Sequence, residues 1–568
     1  IICFTPAFYL KYTVFPFIVA KTLLFRLLIC LLAINWTALV AINPQKYLSI
    51  FNKKNYILWS LIAYGVISTI SGILGIEPAQ SFFSSNERML GLVSLYSFIL
   101  LYIFITSIIK SKKNFHTILN SFLVCNVLVG IHAWFSYAGL TIFSNLKGQR
   151  FSGLIGSPSF LSVYAVFGIF VALYFWALEY KEQSKIFTKY LFGALFLFFI
   201  LLGTGTRATI VAAGLAIFIL LIYFIVSKPK SLLKKISLSI VCLSLVSLGA
   251  IIAFKDTEFV QSRVYLQRLT TINTQERTFQ NRMVAAKVAQ KALENKTILG
   301  WGYETFQYAY LRNFDPLMLK VTPDDRLYDK PHNALLEAST NTGILGLIAY
   351  LAIYASIFYT AYVSFKKNNI NKDILVIFWL AYIAHFVSNI FLFDTFETYL
   401  GFFLLMGFIG SINHFTEKEE YSNNFNKKII LLVIPVIIAS GWFVYEHGYK
   451  NIVNSYYGAK AIDSFQKGSF DDGYYNVLKL TEHPADTSRD VIITSSSIFF
   501  DNNYKMKVTH EQDVMMSNLY IKEIDRLLEI YPENLLLKAI QARFLALKED
   551  EESLKRGLQI INEAIEES

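Results

Sequence analysis

Up to residue 446, apolar residues fall in runs about 20 long, separated by short polar connectors. A helix of that length crosses the ~30 Å hydrocarbon core of a bilayer. Twelve spans are predicted, near residues 22–42, 55–76, 89–109, 114–140, 158–180, 186–203, 208–226, 236–254, 343–365, 373–393, 396–412 and 429–446. Two stretches depart from this pattern. Residues 255–342 form a long polar segment, and from 447 onward the composition is that of a soluble helical domain. Residues 1–20, with Pro6, Lys11 and Pro16, read as the tail of a preceding helix plus a short loop; because the chain opens at Ile1 without a methionine, an upstream segment is expected. The predicted fold is all-α: a polytopic membrane domain over 1–446 with about twelve transmembrane helices and a large loop at 255–342, followed by a helical domain over 447–568.

Within the polar segments, Thr278 to Glu294 predicts a helix stopped by Ile298-Leu-Gly-Trp-Gly302, and Asp315-Pro316 to Pro331 predicts loop. In the C-terminal domain, Tyr457 to Glu482 predicts two helices around Lys467-Gly468. Glu523 to Glu566 predicts another pair, divided at Tyr531-Pro532. Such pairs look like degenerate tetratricopeptide (TPR) repeats, with an ordinary helical bundle as the alternative, because the strict 34-residue signature is absent.

Composition agrees with the pattern. Of 568 residues, 54% are hydrophobic and 16% charged, against about 25% charged in soluble domains. The net charge of +11 would suggest nucleic acid in a soluble protein. Here the lysines sit in alternate short connectors, at Lys46, Lys53 and Lys54, then Lys110, Lys112 and Lys113, then Lys181 and Lys185. They continue at Lys228, Lys230, Lys234 and Lys235, at Lys366, Lys367 and Lys372, and at Lys427 and Lys428. That bias marks the cytoplasmic side. It places 77–88, 141–157, 204–207, 255–342 and 447–568 outside. Cys3, Cys30, Cys125 and Cys242 show neither metal-ligand spacing nor a disulfide framework.

The outside segments carry arginine instead: Arg88, Arg150 and Arg207 in the short ones, and Arg263, Arg268, Arg277, Arg282, Arg312 and Arg326 in the long one. Guanidinium binds phosphate oxygens in a planar, bidentate way that lysine cannot match. Arg207 follows the tight turn Gly203-Thr-Gly-Thr206 and is either a ligand for an anionic lipid headgroup or a snorkelling interfacial residue. Arg88 and Arg150 either bind substrate or phospholipid or anchor their own loops. Alone, Arg282 is indistinguishable from a solvated helix arginine.

His332 and Asn333 end the polar stretch Tyr328-Asp-Lys-Pro-His-Asn333, and after nine residues Gly343-Ile-Leu-Gly346 opens an apolar run. Imidazole exchanges a proton near neutral pH. His332 is therefore either a general base toward a hydroxyl or, with Asn333, a polar group satisfying the next helix's N-terminus. His385 with Asn389 lies inside a span and reads as a neutral, hydrogen-bonded bundle histidine, with a functional role as the alternative. Asp394 and Glu397 either orient a substrate or pair with outside arginines. No phosphate-binding P-loop, HExxH or Gly-x-Ser-x-Gly motif occurs, nor does an Asp-rich pair in the first outside loop.

Together these motifs resemble the O-antigen ligase and polymerase superfamily of bacterial membrane glycosyltransferases. The resemblance covers roughly residues 20–415. It rests on His332-Asn333 followed by Gly343 and Gly346, on Thr204-Gly-Thr-Arg207, and on Arg282 ahead of Ile298-Leu-Gly300-Trp-Gly302. Arg150-Phe-Ser-Gly-Leu-Ile-Gly-Ser-Pro158 adds a recurring family segment. Val211 stands where the family often has leucine, and Thr297 where it often has proline. The resemblance implies a glycan donor on an undecaprenyl-pyrophosphate carrier, with Arg207 and Arg282 on the pyrophosphate and His332 as base. Asn333, Arg150 and Arg88 would contact substrate. It implies metal-independent inverting transfer without a cofactor, in the bacterial inner membrane, to a glycan, lipid or protein acceptor. The C-terminal domain, an addition in some members, would hold an acceptor or an envelope protein. Ligase, polymerase and protein O-oligosaccharyltransferase share this core. A lipid or polysaccharide transporter and a non-enzymatic scaffold are the readings from other classes.

Overall fold

The computed structural model describes residues 1–140, 150–183, 186–228, 231–263, 267, 270, 277–321, 328–415, 428–486 and 488–567. Lys185, Lys230, Arg268, Arg326 and Lys427 lie outside them, as do the side chains of Arg277 and Lys428. Among the described residues every regular element is helical. The long helices, in chain order, are α1 (Val19–Ile42), α2 (Tyr56–Ile73), α3 (Leu92–Ile108), α4 (Lys112–Tyr137), α5 (Pro158–Gln183), α6 (Lys189–Gly203), α7 (Arg207–Ser227) and α8 (Leu232–Ala253). They continue with α9 (Arg277–Asn295), α10 (Ala334–Lys366), α11 (Lys372–Asn389), α12 (Phe396–Ser411) and α13 (Lys428–Val444).

Each predicted span falls on one of these helices. Among the described residues ten helices are long and apolar enough to cross a membrane, α13 counted with its unbroken continuation to Lys467, whereas α3 and α6 are apolar but shorter, with 17 and 15 residues. At 1.5 Å per residue those two extend only about 26 and 22 Å. Position in the bundle follows from how the apolar surface is distributed. The all-round apolar α5 and α12 are almost wholly buried and form the centre, while α8 and α13 turn nearly all their apolar residues outward.

The two sets of connectors separate to opposite ends. At one end Lys228 pairs with Asp373 at 3.0 Å and Asn369 donates to Asn413. At the other end meet the connectors containing Arg88, Arg150, Thr204 and Asp329, together with the C-terminal helices.

Several expectations are revised. Residues 1–18 form a 3-10 turn (Ile2–Ala7) and a connector whose Val14 enters the core of the C-terminal helices, with its N–H bonded to Ser455 Oγ at 2.8 Å, and Val19 and Ala20 already begin α1. Among the described residues, Asp394 and Glu397 pair with His385 and Lys21 rather than with the outside arginines. Asp394 accepts from His385 Nε2 at 2.8 Å, and Glu397 accepts from the buried Lys21 at 2.8 Å. A charge that deep needs the partner nearest in space, and Lys21 is 376 residues away in sequence. The expected loop after Asp315 contains a helical turn, Leu317–Val321.

The chain leaves α13 through a π-helical turn, Tyr445–Tyr449, without a break in the helix. Six helices follow: α14 (Lys450–Lys467), α15 (Phe470–Glu482), α16 (Ser488–Met506), α17 (His510–Ile530), α18 (Leu535–Leu547) and α19 (Glu551–Glu567). The expected breaks at Gly468, in a left-handed cap, and at Tyr531-Pro532 are present. A further break between α18 and α19 was not foreseen. In the core of this bundle Phe544 stacks on Phe499 and Tyr520, and Phe465 packs edge-on to Phe499.

Candidate active site

The site is built on a backbone clamp. Helix α10 is interrupted at Gly343, where φ is 67° and ψ −170°. Beside the interruption runs the segment Ile298–Gly302. Trp301 N–H bonds to Thr340 O at 3.0 Å, Gly302 N–H to Asn341 O at 3.0 Å and Ile344 N–H to Thr297 O at 2.8 Å. The freed backbone groups of the broken helix are thus satisfied by a second strand of main chain. A Cβ on Gly343 would collide with Ile298 carbonyl, and one on Gly300 with Thr340 carbonyl. The glycines noted in the sequence therefore exist for close backbone approach, which docks α9 against the short first part of α10.

Asn333 is the N-cap of α10. Its Oδ1 accepts from Leu335 N–H at 2.9 Å and Leu336 N–H at 3.1 Å. This is the capping role set out above, and it falls to Asn333 rather than to His332. His332 has a left-handed backbone, φ 53°. Its ring lies 5.2 Å from Phe393 and edge-on to Tyr328 at 5.9 Å. Burial pushes the imidazole pKa down to about 4, the Arg282 and Arg88 charges push the same way, and Asp329 opposes them. At neutral pH the ring is uncharged, with a lone pair available.

The residues flanking His332 are tied down by ion pairs. Arg88 grips Asp329 with two hydrogen bonds, Nε to Oδ2 at 2.6 Å and Nη2 to Oδ1 at 3.1 Å, and lies over the Phe393 ring at 4.9 Å. Burial opposes the Asp329 charge, yet Arg88 outweighs it and holds the carboxyl below its usual range. Lys330, 2% exposed, is held between the carboxylates of Glu304 and Glu337. Burial works against its charge, but the two carboxylates keep the ammonium protonated. Glu304 also accepts from Ser84 at 3.0 Å.

The remaining predicted residues occupy the same end. Arg282, half-buried on α9, acts on His332 through its charge. Arg150 donates from Nε to Thr204 O at 2.5 Å and from Nη2 to Thr206 Oγ1 at 3.0 Å. It thereby fixes the turn from which Arg207 starts α7. The next contacts run toward His332: Thr209 bonds Ser162 at 2.9 Å, and Phe160, on the same helix as Ser162, packs against Phe393 at 5.6 Å. His385 is buried and hydrogen-bonded to Asp394, Tyr354 and Asn389, the hydrogen-bonded place within the bundle that its sequence position suggested.

Sequence reasoning did not single out Asp329, Lys330, Glu304, Glu337 or Phe393. The adjacent opposite charges at Asp329 and Lys330 were a signal. Glu337 is only seven residues from Lys330, but Arg88 and Glu304 lie 241 and 26 residues before Asp329 and Lys330, beyond the reach of any local spacing rule.

A family model described as O-antigen ligase matches residues 192–351, from α6 through the first turns of α10 past Gly346. The match takes in Arg207, Arg282, His332 and both motif glycines. This stretch of the chain is thus similar to the membrane ligases and polymerases that move glycans, in agreement with the multi-pass helical architecture. A search of curated proteins found no match.

Proposed function

We propose that the chain is an O-antigen-ligase-type glycosyltransferase of the bacterial inner membrane. It moves a glycan from an undecaprenyl-pyrophosphate carrier to an acceptor hydroxyl on the extracytoplasmic side, where the large loop and the C-terminal helices lie. The observation that carries this reading is the placement of His332 inside the matched region, its ring packed against Phe393 and Tyr328 and its loop anchored by the Arg88–Asp329 pair.

In the proposed step the acceptor oxygen attacks the anomeric carbon as the bond from that carbon to the pyrophosphate oxygen breaks. The bonding electrons leave with the pyrophosphate, the acceptor proton passes to His332 and the configuration inverts. Arg207 and Arg282 stabilise the departing charge, a task elsewhere given to a metal ion. Negative donor charge offsets the arginine field on His332, so donor binding raises the basicity of the ring. The glycosyl pyrophosphate is already activated, so the step calls for no ATP or other cofactor. The C-terminal helices, read as TPR-like, are suited to hold a glycan, lipid or protein acceptor.

The test is transfer by purified protein from a lipid-linked glycan, without nucleotide or added metal, with products read by mass. His332→Ala is expected to fold and to lose transfer. Unchanged transfer removes His332 as base.

A further inference from the structure

The C-terminal helices reach the His332 loop through one connected set of polar contacts. The first turn of α16 carries Arg489 and Asp490. Arg489 is 2% exposed, bonds Asp490 Oδ1 from Nε at 2.9 Å and Nη2 at 2.7 Å, and donates to Gln80 Oε1. Its guanidinium also lies over the Tyr531 ring at 4.9 Å. The other Asp490 oxygen accepts the main-chain N–H of Asn86. Gln80 and Asn86 belong to the connector between α2 and α3, which also carries Ser84 and Arg88. From the connector, Gln80 Nε2 donates to Glu304 O at 3.2 Å, Ser84 donates to the Glu304 carboxylate, and Arg88 grips Asp329. Glu304 in turn holds Lys330. The connector thus has α16 on one side and both anchors of the His332 loop on the other.

We propose that Arg489 and Asp490 are positioning residues for His332, making the C-terminal bundle a structural part of the site as well as a place for an acceptor. The inference rests on the reading of His332 as the base. A buried guanidinium is stable only with its charged and hydrogen-bonding partners in place, so Arg489 and Asp490 fix the connector. The connector fixes Asp329 and Lys330, and these hold the imidazole on a left-handed backbone that is otherwise disfavoured. Coupling of this kind requires a demonstrated energetic link, not proximity alone.

The link is tested in the full-length protein with Asp490→Asn, which keeps the side-chain volume. The control is Arg312→Gln; Arg312 bonds Glu533 at 2.5 Å across the same interface but outside this set of contacts. Asp490→Asn is expected to lower kcat by about 3- to 30-fold while acceptor KM stays within about twofold, and Arg312→Gln to leave both unchanged. The pair Asp329→Asn with Asp490→Asn is expected to fall no further than Asp329→Asn alone. An unchanged kcat, or losses that multiply, overturns the proposal. Should Asp490→Asn fail to fold, Arg489→Lys takes its place with the same readings. Hydrogen exchange without substrate gives a second reading: faster exchange over 86–90 and 328–333 is expected, and unaltered protection there overturns the link. Transfer retained by His332→Ala would instead remove the base assignment, while exchange would still decide whether the bundle orders the loop.

Discussion

Arg88 holds Asp329 through two hydrogen bonds, of 2.6 and 3.1 Å, across 241 residues of sequence. Asp329 stands three residues before His332, so the pair sets where the imidazole can be. Replacing Asp329 with Asn removes the charge that Arg88 faces in a largely enclosed site. It is expected to destabilise the protein by about 1–3 kcal/mol, seen as a lower unfolding midpoint in detergent, and to reduce transfer further than that loss explains. A wild-type midpoint and rate would separate this pair from the site.

As the proposed base, His332 gives transfer an expected pH signature. Its pKa is lowered to about 4 from an ordinary value of 6.5, so the ring stays uncharged across the neutral range. The rate with donor far below saturation is expected to be flat above about pH 6 and to fall with a midpoint near 4. With donor saturating, the midpoint is expected to move up, because the pyrophosphate of the proposed donor would offset the arginines. The depressed pKa also affects stability. The unfolded chain binds the proton first, so this contribution is complete above about pH 6.5 and is lost as pH falls from there toward 4. A profile centred near 7 under both donor conditions would contradict the burial and arginine field around the ring.

Arg282 and Arg207 are separable. Arg282→Gln removes a charge that lowers the His332 pKa, so the low-pH limb of the rate profile is expected to move upward as the rate drops. Arg207→Ala has no such expected shift. It is expected to weaken donor-lipid binding by roughly 10- to 100-fold, the loss of a charge-assisted phosphate contact. Titration of purified variants with donor lipid measures the second, and the pH profile the first. Donor binding unaltered in Arg207→Ala would remove it from the site.

Gly343→Ala tests the backbone clamp. With φ at 67° and Ile298 carbonyl where a Cβ would stand, the substitution is expected to cost more than about 2 kcal/mol. It would show as poor yield of folded protein even though Gly343 carries no side chain. Normal yield and stability would mean the clamp can open without cost.

Lys21 and Glu397 form a pair with side chains 0% and 4% exposed. Lys21→Met leaves the Glu397 carboxylate buried without its partner and is expected to destabilise by about 3–5 kcal/mol. Adding Glu397→Gln is expected to recover much of that loss, which thermal unfolding of the single and double variants checks. A double variant as unstable as the single one would show that packing, not charge, dominates there.

Much of the architecture was legible because membrane helices are written in local composition. The twelve apolar runs, the helix of the large loop and the breaks at Gly468 and Tyr531-Pro532 all follow from windows of a few to twenty residues. His332, Asn333 and the two glycines were visible as a spacing. The spacing did not reveal that Gly343 breaks α10 or that Ile298–Gly302 lies against that break. Those are main-chain contacts between segments some forty residues apart.

By itself, then, the sequence determined the helical membrane class, the separation of lysine-bearing from arginine-bearing connectors and the identity of the candidate base. All of these are properties of hydropathy, charge and short motifs. Only the tertiary structure decided the distant partners of the buried charges: Lys21 with Glu397, Lys330 with Glu304, Arg88 with Asp329, and Arg489 with Gln80. A charge in a low-dielectric interior is stabilised by whichever opposite charge the fold brings within a few ångströms, and that distance is unrelated to separation along the chain.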